Sequence, residues 1–552
     1  MLIEFHVIQD HGPSNMNRGQ DGRPKTALYA GSQRLRISSQ CCKRTLRQPR
    51  PADNTAAAAG VFEQTVGSSH FGIRTKLLPE KVVERWIELH GSDAPFQEGI
   101  KAAVSVVAKK DGKQEETKAD GRVRTPQAIY VDLDREVERI ISVLDELNDA
   151  GELELLADES QIFADHLKEA AELIGWDVKG KNPDKAIAWE SVRSDANWAL
   201  IVAAVENIDI ADRPAGVDPG ATTETLTPSS ELAVGLLKLI LTIDDPKEQK
   251  SLLNKLEPPK GQKKKSGAKI TLADRLKITA AQPVSAADIA LFGRMTTSDA
   301  FQDVEAACQV ADAISTHPVD IETDYFTTVD DLDVGTGAAH VGEANYASAV
   351  FYKNLVVDYS SLLRNLGAEI PVGKEDDEAL KSLAAEAPQI AARAIEGLLR
   401  AMLLNVPSGK INSHAHNQQP SLILVEVKPQ KIATSYLTAF HEPARAGERE
   451  DGSVETVLTD SVQKLLAFSR FRDRKLGIKG TQRFVFANDQ PTEQAIERLR
   501  ERLKDGATGE LTDDNFFKNS SLQTCDDFES LVTAINKAVA AASARGSEGS
   551  AE

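Results

Sequence analysis

The chain is 552 residues long, which leaves room for several domains, and 41% of its residues are hydrophobic and 27% charged, as in globular proteins that bury a core. Its net charge of −19 excludes indiscriminate binding to nucleic acids and confines any such contact to particular surfaces. Four cysteines without CxxC spacing exclude a disulfide framework, and no apolar run reaches the about 18 residues of a transmembrane helix. We therefore expect a cytoplasmic protein that has no membrane partner.

The first fifty residues carry positive charge against the overall sign of the chain. Nine lysines and arginines stand against three acids there, a local balance of +6. Ile3, Phe5 and Val7 alternate with polar side chains over residues 2–9, which predicts a strand. A surplus of one sign within an oppositely charged protein indicates an anionic partner that is bound at one patch.

A second strand and a helix are predicted within this basic segment. Arg34 and Arg36 alternate with Leu35 and Ile37, the pattern of a strand whose outer face carries guanidinium groups. After the capping pair Ser38-Ser39, one face of the predicted helix carries hydrogen-bond donors at i, i+3, i+4 and i+7, namely Gln40, Lys43, Arg44 and Arg47. Helix N-termini and basic side chains bind phosphate oxygens, so the segment predicts a phosphate-binding surface. A solvated basic helix is the alternative interpretation.

The middle of the chain, from about residue 95 to residue 282, favours helix and contains polar breaks. Residues 109–124 and 214–228 have the composition of loops. The lysine run at 258–269 lacks interleaved aromatic residues, so we interpret it as a solvated loop rather than a nucleic-acid contact.

The segment that follows predicts a strand at residues 288–292, a turn at Gly293 and a helix over residues 301–314. Arg294 and Met295 come directly after the turn. A lone methionine is usually a core residue, but its position after a strand and beside Arg294 makes Met295 a candidate for stacking on a base.

Residues 301–349 contain no lysine or arginine, whereas acids are frequent. Such a segment cannot hold phosphates by charge, but Tyr325, Phe326 and Thr327 can contact bases or the basic face of another protein. Further strands are predicted at 349–358, 422–427 and 483–486, and helices at 376–404 and 528–542. Lys410 lies in the glycine turn VPSGK, which alone is weak evidence for a phosphate contact.

Two groups of residues have the composition of a metal or catalytic site. His414 and His416 alternate in SHAHN, but no Cys or Asp lies nearby, so a surface strand explains their spacing better. Asp330, Asp331 and Asp333 form an acidic cluster. The chain has no GxxxxGK[ST] loop, no GxSxG turn and no HExxH motif, and we expect neither catalysis nor a cofactor or metal ion.

Six segments resemble, in the same order, the CasC family, the backbone subunit of the type I-E CRISPR surveillance complex called Cascade. They are PSNMNRGQDGRPKTALYAG with RLRISSQCCKR near the N-terminus, HFGIRTKLLPE at 70–80, ADIALFGRM at 287–295, THPVDIETDYFTTVDDL at 316–332, GAAHVGEANYASAVFY at 337–352 and VPSGKINSHA at 406–415. Because these matches are ordered and spread over most of the chain, the resemblance is specific.

The resemblance implies an α+β fold in which an RRM-like (ferredoxin-like) palm carries an inserted helical fingers domain and a thumb hairpin. On this chain we expect the palm at residues 1–60, 286–316 and 346–552, an enlarged fingers insertion at 61–285 and the thumb at 317–345. Taken with the residue patterns above, the expected RNA-binding residues are Arg18, Lys25, Ser38, Gln40, Lys43, Arg44, Arg47, Arg294, Met295, Phe326, Thr327 and Lys410.

The function implied is that of a non-catalytic subunit that polymerises along CRISPR RNA (crRNA), holds its phosphates and kinks it at intervals. The expected partners are crRNA, further copies of the chain in a head-to-tail array, other Cascade subunits and, through the guide, target DNA. Two alternatives stay open. One is a type III-like backbone subunit that cleaves target RNA with a thumb aspartate, and the other is a structural protein that binds no RNA.

Overall fold

The structure of the chain is a computed structural model, and the statements below refer to the residues that it describes. These are residues 1–47, 59–92, 96–107, 122–125, 127–151, 153, 167, 170–171, 187, 192, 195–206, 230–241, 243, 246–256, 272–279, 283–296, 298, 300–329, 331–332, 340–373, 375–448, 454–476, 480–504 and 522–548. Within them, no helix is both long enough and apolar enough to cross a membrane.

The strands of the described chain are numbered in sequence order. They are β1 (Leu2–Ser14), β2 (Thr26–Tyr29), β3 (Ser32–Ile37), β4 (Ile73–Thr75), β5 (Ile129–Val131), β6 (Cys308–Val310), β7 (Ala313–Ser315), β8 (Glu322–Thr328), β9 (His340–Asp358), β10 (Leu422–Lys428), β11 (Gly447–Glu448), β12 (Val454–Glu455), β13 (Gln482–Ala487) and β14 (Leu522–Cys525).

The α-helices are numbered in the same way. They are α1 (Ser39–Arg47), α2 (Val61–Val66), α3 (Leu78–His90), α4 (Gln97–Val106), α5 (Leu133–Asp149), α6 (Asp195–Glu206), α7 (Ser230–Leu241), α8 (Pro246–Leu256), α9 (Leu272–Thr279), α10 (Ala287–Phe292), α11 (Tyr359–Asn365), α12 (Glu378–Leu404), α13 (Ile411–His414), α14 (Val457–Leu476), α15 (Gln490–Lys504) and α16 (Phe528–Glu548). The chain is therefore an α+β protein, as the sequence predicted.

The chain divides into two compact units. The first comprises Met1–Gly72, Pro283–Arg294 and Val304–Glu552, and the second comprises Ile73–Gln282 and Met295–Asp303. The second unit is mainly helical, with a core that includes Trp86 and Ile140 and a second core built by α6, α7 and α8. The lysine run at 258–269 lies outside the described residues.

A mixed sheet organises the first unit. Its strand order is β14-β13-β10-β1-β9-β7-β3-β2, and β6 and β8 also pair with β9. The central strand β1 is antiparallel to both β9 and β10. Helices α1 and α12 cover one face, where Val7, Leu46 and Met402 line a cavity of about 30 Å³, and α14 packs on the other face through Val462 and Leu465.

The strand predicted at residues 2–9 is confirmed as part of β1, and there it is buried on both faces. Ile3, Phe5 and Val7 form the apolar face, as expected, but Glu4 and His6 on the opposite face are also fully buried. Alternation shows which side chains share a face, whereas it does not show whether the polar face meets water or a second protein layer.

Two local predictions around Gly293 were wrong. Residues 288–292 lie in helix α10 rather than in a strand, and residues 301–314 contain the short strands β6 and β7 rather than a helix. Both strands pair with β9, and this pairing outweighs the helical spacing of the apolar residues. Gly293 adopts φ +80°, and a Cβ there would lie 2.8 Å from the carbonyl oxygen of Val304, so the turn requires glycine.

Candidate nucleic-acid interface

The N-terminus of α1 is capped from within the protein. The backbone N–H of Ser38 donates to Oδ1 of Asn17 at 2.9 Å, and that of Ser39 donates to Oδ1 of Asp312 at 2.7 Å. Two amide groups that were expected to bind phosphate thus have acceptors already, and the predicted site residue Ser38 is buried. The helix terminus serves to anchor α1 to the loop at Asn17.

The donor face of α1 is divided between solvent and the protein interior. Gln40 and Arg44 are exposed and Lys43 is half-buried. Arg47, in contrast, turns inward, and its Nε lies 2.7 Å from Oδ2 of the fully buried Asp288. Its guanidinium group also donates to the carbonyl oxygen of Gly72 and stands over the ring of Phe71. The interior contacts of Arg47 are those of a structural residue.

The two arginines of β3 are engaged in a similar way. Arg34 is completely buried and donates to the carbonyl oxygens of Ser315 at 3.2 Å and of Phe440 at 3.1 Å. Arg36 donates to Oδ2 of Asp312 at 2.7 Å. The predicted outward guanidinium face is therefore wrong for Arg34, whereas the side chain of Arg36 stays partly exposed. Oxygen atoms of residues that are distant in the sequence accept hydrogen bonds from these two side chains.

The loop between β1 and β2 carries the next two predicted contacts. Arg18 is exposed and forms a backbone bridge with Pro24, and Lys25 is half-buried with its N–H bonded to the carbonyl oxygen of Asn17. The Asn15 amide donates to the carbonyl oxygens of Gly22 at 2.9 Å and of Asn345 at 2.7 Å. Asn15 thereby fixes the loop to the strand β9.

The turn before α13 brings Lys410 to the same loop. A Cβ on Gly409 would lie 2.2 Å from the carbonyl oxygen of Met16, so the two backbones touch there. Lys410 is exposed and adopts φ +55°, an uncommon conformation for a lysine. Because Met16 adjoins Asn17, which caps α1, the turn, the loop and the helix form one continuous surface. We call it the basic surface, and its side chains are Arg18, Lys25, Gln40, Lys43, Arg44 and Lys410.

Electrostatics support this grouping. Burial raises the pKa of the Cys41 thiol, and the nearby cations Lys353, Lys25 and Arg44 oppose that rise, so Lys25 and Arg44 both lie near one α1 residue. A group of exposed and half-buried cations in a chain of net charge −19 produces a local positive potential that favours an anion.

Arg294 does not extend the basic surface. Arg294 is buried, and its backbone pairs with that of Val304 at 2.9 Å and 2.8 Å. Met295 is 93% exposed and belongs to the second unit. Met295 is therefore not a core residue, and its role in stacking on a base stays a prediction.

The predicted thumb contains a hairpin in which β8 pairs with the first part of β9, from Glu322 opposite Tyr346 to Thr328 opposite His340. Neighbouring residues of a strand point to opposite faces, so Phe326 and Thr327 lie on different faces. The Phe326 ring lies over Gly342, since a Cβ there would meet its Cζ at 2.5 Å. All residues of β8 are exposed, whereas Asp330 and Asp333 of the acidic cluster lie outside the described residues.

The two predicted histidines do not lie in a surface strand. His414 is half-buried at the end of α13, and His416 is buried with its Nε2 2.8 Å from the carbonyl oxygen of Pro407. The chain here forms a short helix that ends at His414, and the left-handed residue Ala415 follows it. The strand interpretation was wrong because alternation over three residues is too short to define a period.

One buried group has the composition of a metal site. Glu4, His6 and Glu426 bring their ligand atoms together, but Nζ of Lys428 lies 2.6 Å from Glu4 and 3.0 Å from Glu426 and occupies the position of a cation. Arg483 adds a second cation at 2.8 Å from Glu426. The carboxylates are neutralised by side chains, so this group is a buried ion network.

Sequence reasoning missed the residues that hold the basic surface together. Asn15, Asn17 and Asp312 bind backbone atoms or an arginine and carry no distinctive local signal. Tyr346 at the root of the hairpin was also missed, although it lies within a segment that resembles the CasC family.

Comparison with known proteins identifies the family. A family model described as CT1975-like protein matches residues 3–187 and 184–509, most of the chain, and the chain therefore belongs to the CT1975-like protein family. Among solved structures, a chain of a "CRISPR RNA-guided surveillance complex, pre-nicking" aligns with a TM-score of 0.55 and 20% identity, over 98% of this chain and 100% of that one. This match shows a shared fold. A chain of a "CRISPR RNA-guided surveillance complex" aligns with a TM-score of 0.41 and 14% identity over the same shares. No curated protein matches.

Proposed function

We propose that the protein is the crRNA-binding backbone subunit of a type I-E CRISPR surveillance complex, equivalent to CasC. The observation that carries this proposal is the basic surface, which concentrates exposed cations on an otherwise acidic protein. The first and the last of the six CasC-like segments supply all six of its side chains, and the solved structure of similar fold comes from an RNA-guided complex. A cytoplasmic location follows from this role.

The proposed palm is an RRM-like domain. The elements β1, α1, β7, β9, α12 and β10 succeed one another as βαββαβ, and their strands lie in the order β10-β1-β9-β7. Antiparallel pairing of β1 with β9 and β10 matches the ferredoxin-like arrangement, to which the other strands are additions. The helical second unit corresponds to the fingers and the β8–β9 hairpin to the thumb.

The basic surface holds RNA through phosphates and riboses rather than through base sequence. Lysine, arginine and the Gln40 amide bind backbone oxygens, which positions the strand and carries no sequence information. Aromatic residues are only 5% of the chain, so the sheet stacking of ordinary RRM domains supplies little affinity. The exposed bases then pair with target DNA, which reads the sequence.

Copies of the chain would stack head to tail along the RNA, a heterologous arrangement that does not close. The hairpin carries the exposed acids Glu322 and Asp324 and offers charge complementarity to the basic surface of the next copy. Other subunits of the complex would cap the array at its ends.

The proposed subunit is not catalytic. The resemblance to CasC implies a subunit that holds RNA without cutting it, and Lys428 already neutralises the carboxylates of the buried Glu4 network. A thumb aspartate that cleaves target RNA is the competing function, and the experiment below distinguishes it by the pattern of RNA fragments.

The test is to co-express the full chain with a guide RNA, treat the purified particle with nuclease, and measure the protected RNA length and the particle mass. The variant replaces Lys25, Lys43 and Arg44 with Ala. The matched control replaces Arg364, Lys381 and Lys431, three exposed cations elsewhere in the first unit. We expect a long protected RNA on a multimer of the wild type and of the control, and its loss from the variant. A monomer without RNA would overturn the proposal, and target RNA cut at regular spacing would favour the nuclease.

A further inference from the structure

Two aromatic rings meet at the root of the hairpin. The ring centroids of Tyr346 and His414 are 6.2 Å apart with the planes inclined by 43°, and both side chains are half-buried. The Tyr346 hydroxyl donates to Oε2 of Glu322 at 3.1 Å, and this bond raises the pKa of the tyrosine. The ring of Tyr346 is thereby held in one orientation while part of it stays open to solvent.

The pair adjoins the basic surface on two sides. His414 lies on α13, the helix that begins directly after Lys410, so the ring and the exposed cation belong to the same turn of chain. The residue before Tyr346, Asn345, accepts the hydrogen bond from Asn15 that fixes the basic loop. The two rings therefore lie beside the part of the basic surface that Lys410 forms.

The hairpin continues the same line of contacts. Tyr346 pairs with Glu322 and Gly342 pairs with Phe326, so Tyr346 and the ring of Phe326 lie on one face of the hairpin. Four residues of strand separate the two positions, which corresponds to about 13 Å. Glu322 lies beside Tyr346, and Asp324 lies between the two positions on that face. Both acids repel phosphates, whereas a neutral base is not repelled.

We propose that Tyr346 and His414 form a base-stacking site for single-stranded RNA at the root of the hairpin. The inference rests on the proposed RNA-binding function and adds to it a nucleobase contact that the phosphate-binding surface does not provide. Every nucleobase presents a π-face, and stacking on an aromatic side chain is tolerant of sequence. A tyrosine whose hydroxyl is anchored loses less side-chain freedom when the base binds, so the ring is pre-organised for stacking.

A role in stacking differs measurably from a role in packing the hairpin. Tyr346→Phe keeps the ring but removes the hydrogen bond to Glu322, and Tyr346→Ala removes both. If the ring only supports the hairpin through Glu322, the two variants behave alike. If the ring stacks on a base, Tyr346→Phe stays close to the wild type and Tyr346→Ala does not.

The experiment uses the full chain co-expressed with a guide RNA in which bromouridine replaces uridine. Irradiation crosslinks a stacked base to the ring that it touches, and mass spectrometry of the digested particle locates the crosslink. The matched control is Phe471→Ala, which removes a 42% exposed aromatic ring that also lies beside a cation, Lys475, on α14.

We expect crosslinks at Tyr346 or His414 in the wild type, in Tyr346→Phe and in Phe471→Ala. In Tyr346→Ala and in the double variant Tyr346→Ala/His414→Ala the yield in this segment should fall at least about 10-fold, the loss of one stacking contact, while RNA stays bound. Bound RNA without a crosslink at either ring in the wild type would overturn this inference alone. Absence of RNA from the wild type would overturn the proposed function together with it.

Discussion

Arg47 and Asp288 form an ion pair of 2.7 Å in which the carboxylate is fully buried, although 241 residues separate them in the sequence. Asp288 also accepts the backbone N–H of Gly72 at 2.7 Å. The pair therefore joins α1, α10 and the segment after α2. This contact divides the arginines of α1 into one that stabilises the fold and one, Arg44, that is available to a ligand.

Replacing Arg47 with Ala should destabilise the first unit by about 3–5 kcal/mol, because the buried carboxylate of Asp288 loses its partner. Arg44→Ala should leave the free energy of unfolding within about 0.5 kcal/mol of the wild type and reduce RNA retention. Denaturant unfolding and nuclease protection measure the two effects separately. Equal stability of the two variants would contradict the structural role of Arg47.

Gly409 is the second test of the basic surface. A methyl group at this position collides with the backbone of Met16, which cannot move aside like a side chain. Gly409→Ala should therefore displace the turn that holds Lys410 from the loop at Asn17 and lower RNA retention. Gly447→Ala is the control, since a Cβ there meets nothing within 4 Å. If the two variants protected RNA equally well, the contact between turn and loop would not matter for binding.

Gly342 tests the hairpin. A Cβ at this position would press on the tip of the Phe326 ring, which is a movable side chain, so Gly342→Ala should fold and shift the ring. We expect RNA retention to stay unchanged, because the phosphate contacts lie elsewhere, and the periodic pattern of base reactivity to dimethyl sulfate to weaken. Gly447→Ala again serves as control. An unaltered reactivity pattern would show that Phe326 does not set the spacing of the bases.

The sequence predicted elements whose signals are local and missed those that depend on distant partners. The strands at 422–427 and 483–486 and the helix at 376–404 are confirmed within a few residues, since each has a continuous periodic pattern. Arg34 was predicted to face solvent, but its acceptors in Ser315 and Phe440 are 281 and 406 residues away. No local pattern reveals that such acceptors will cover a basic strand.

The same limit applies to the candidate site. The positions of Arg18, Lys25 and Lys410 could be named from charge and motif, yet their grouping depends on the contact of Gly409 with Met16 and on the cap that Asn17 provides. Asn17 acts there by accepting a backbone hydrogen bond, and Gly409 acts by letting two backbone segments come close together. Charge patterns contain no information on such contacts.

The buried ion network predicts a pH dependence of stability. Burial opposes ionisation of Glu426, but Arg483, His6 and Lys428 outweigh it and lower the pKa to about 2, below the ordinary value of 4.5. A carboxyl group with a lower pKa in the folded state contributes stability that is complete above its unfolded pKa and is lost as the pH falls through its folded pKa. The free energy of unfolding should therefore decline between about pH 4.5 and pH 2.

Glu426→Gln tests this assignment. At pH 7 the variant should be less stable by about 3–5 kcal/mol, because Arg483 stays buried without its carboxylate, although Lys428 keeps Glu4. As the pH is lowered, its free energy of unfolding should also fall less steeply than that of the wild type, because the variant lacks one carboxyl group that binds a proton on unfolding. Glu448→Gln, which changes an exposed acid, should follow the wild type. If acid destabilised Glu426→Gln as steeply as the wild type, the protons taken up on unfolding would belong to other carboxyl groups, and the network would not be the source of the acid sensitivity.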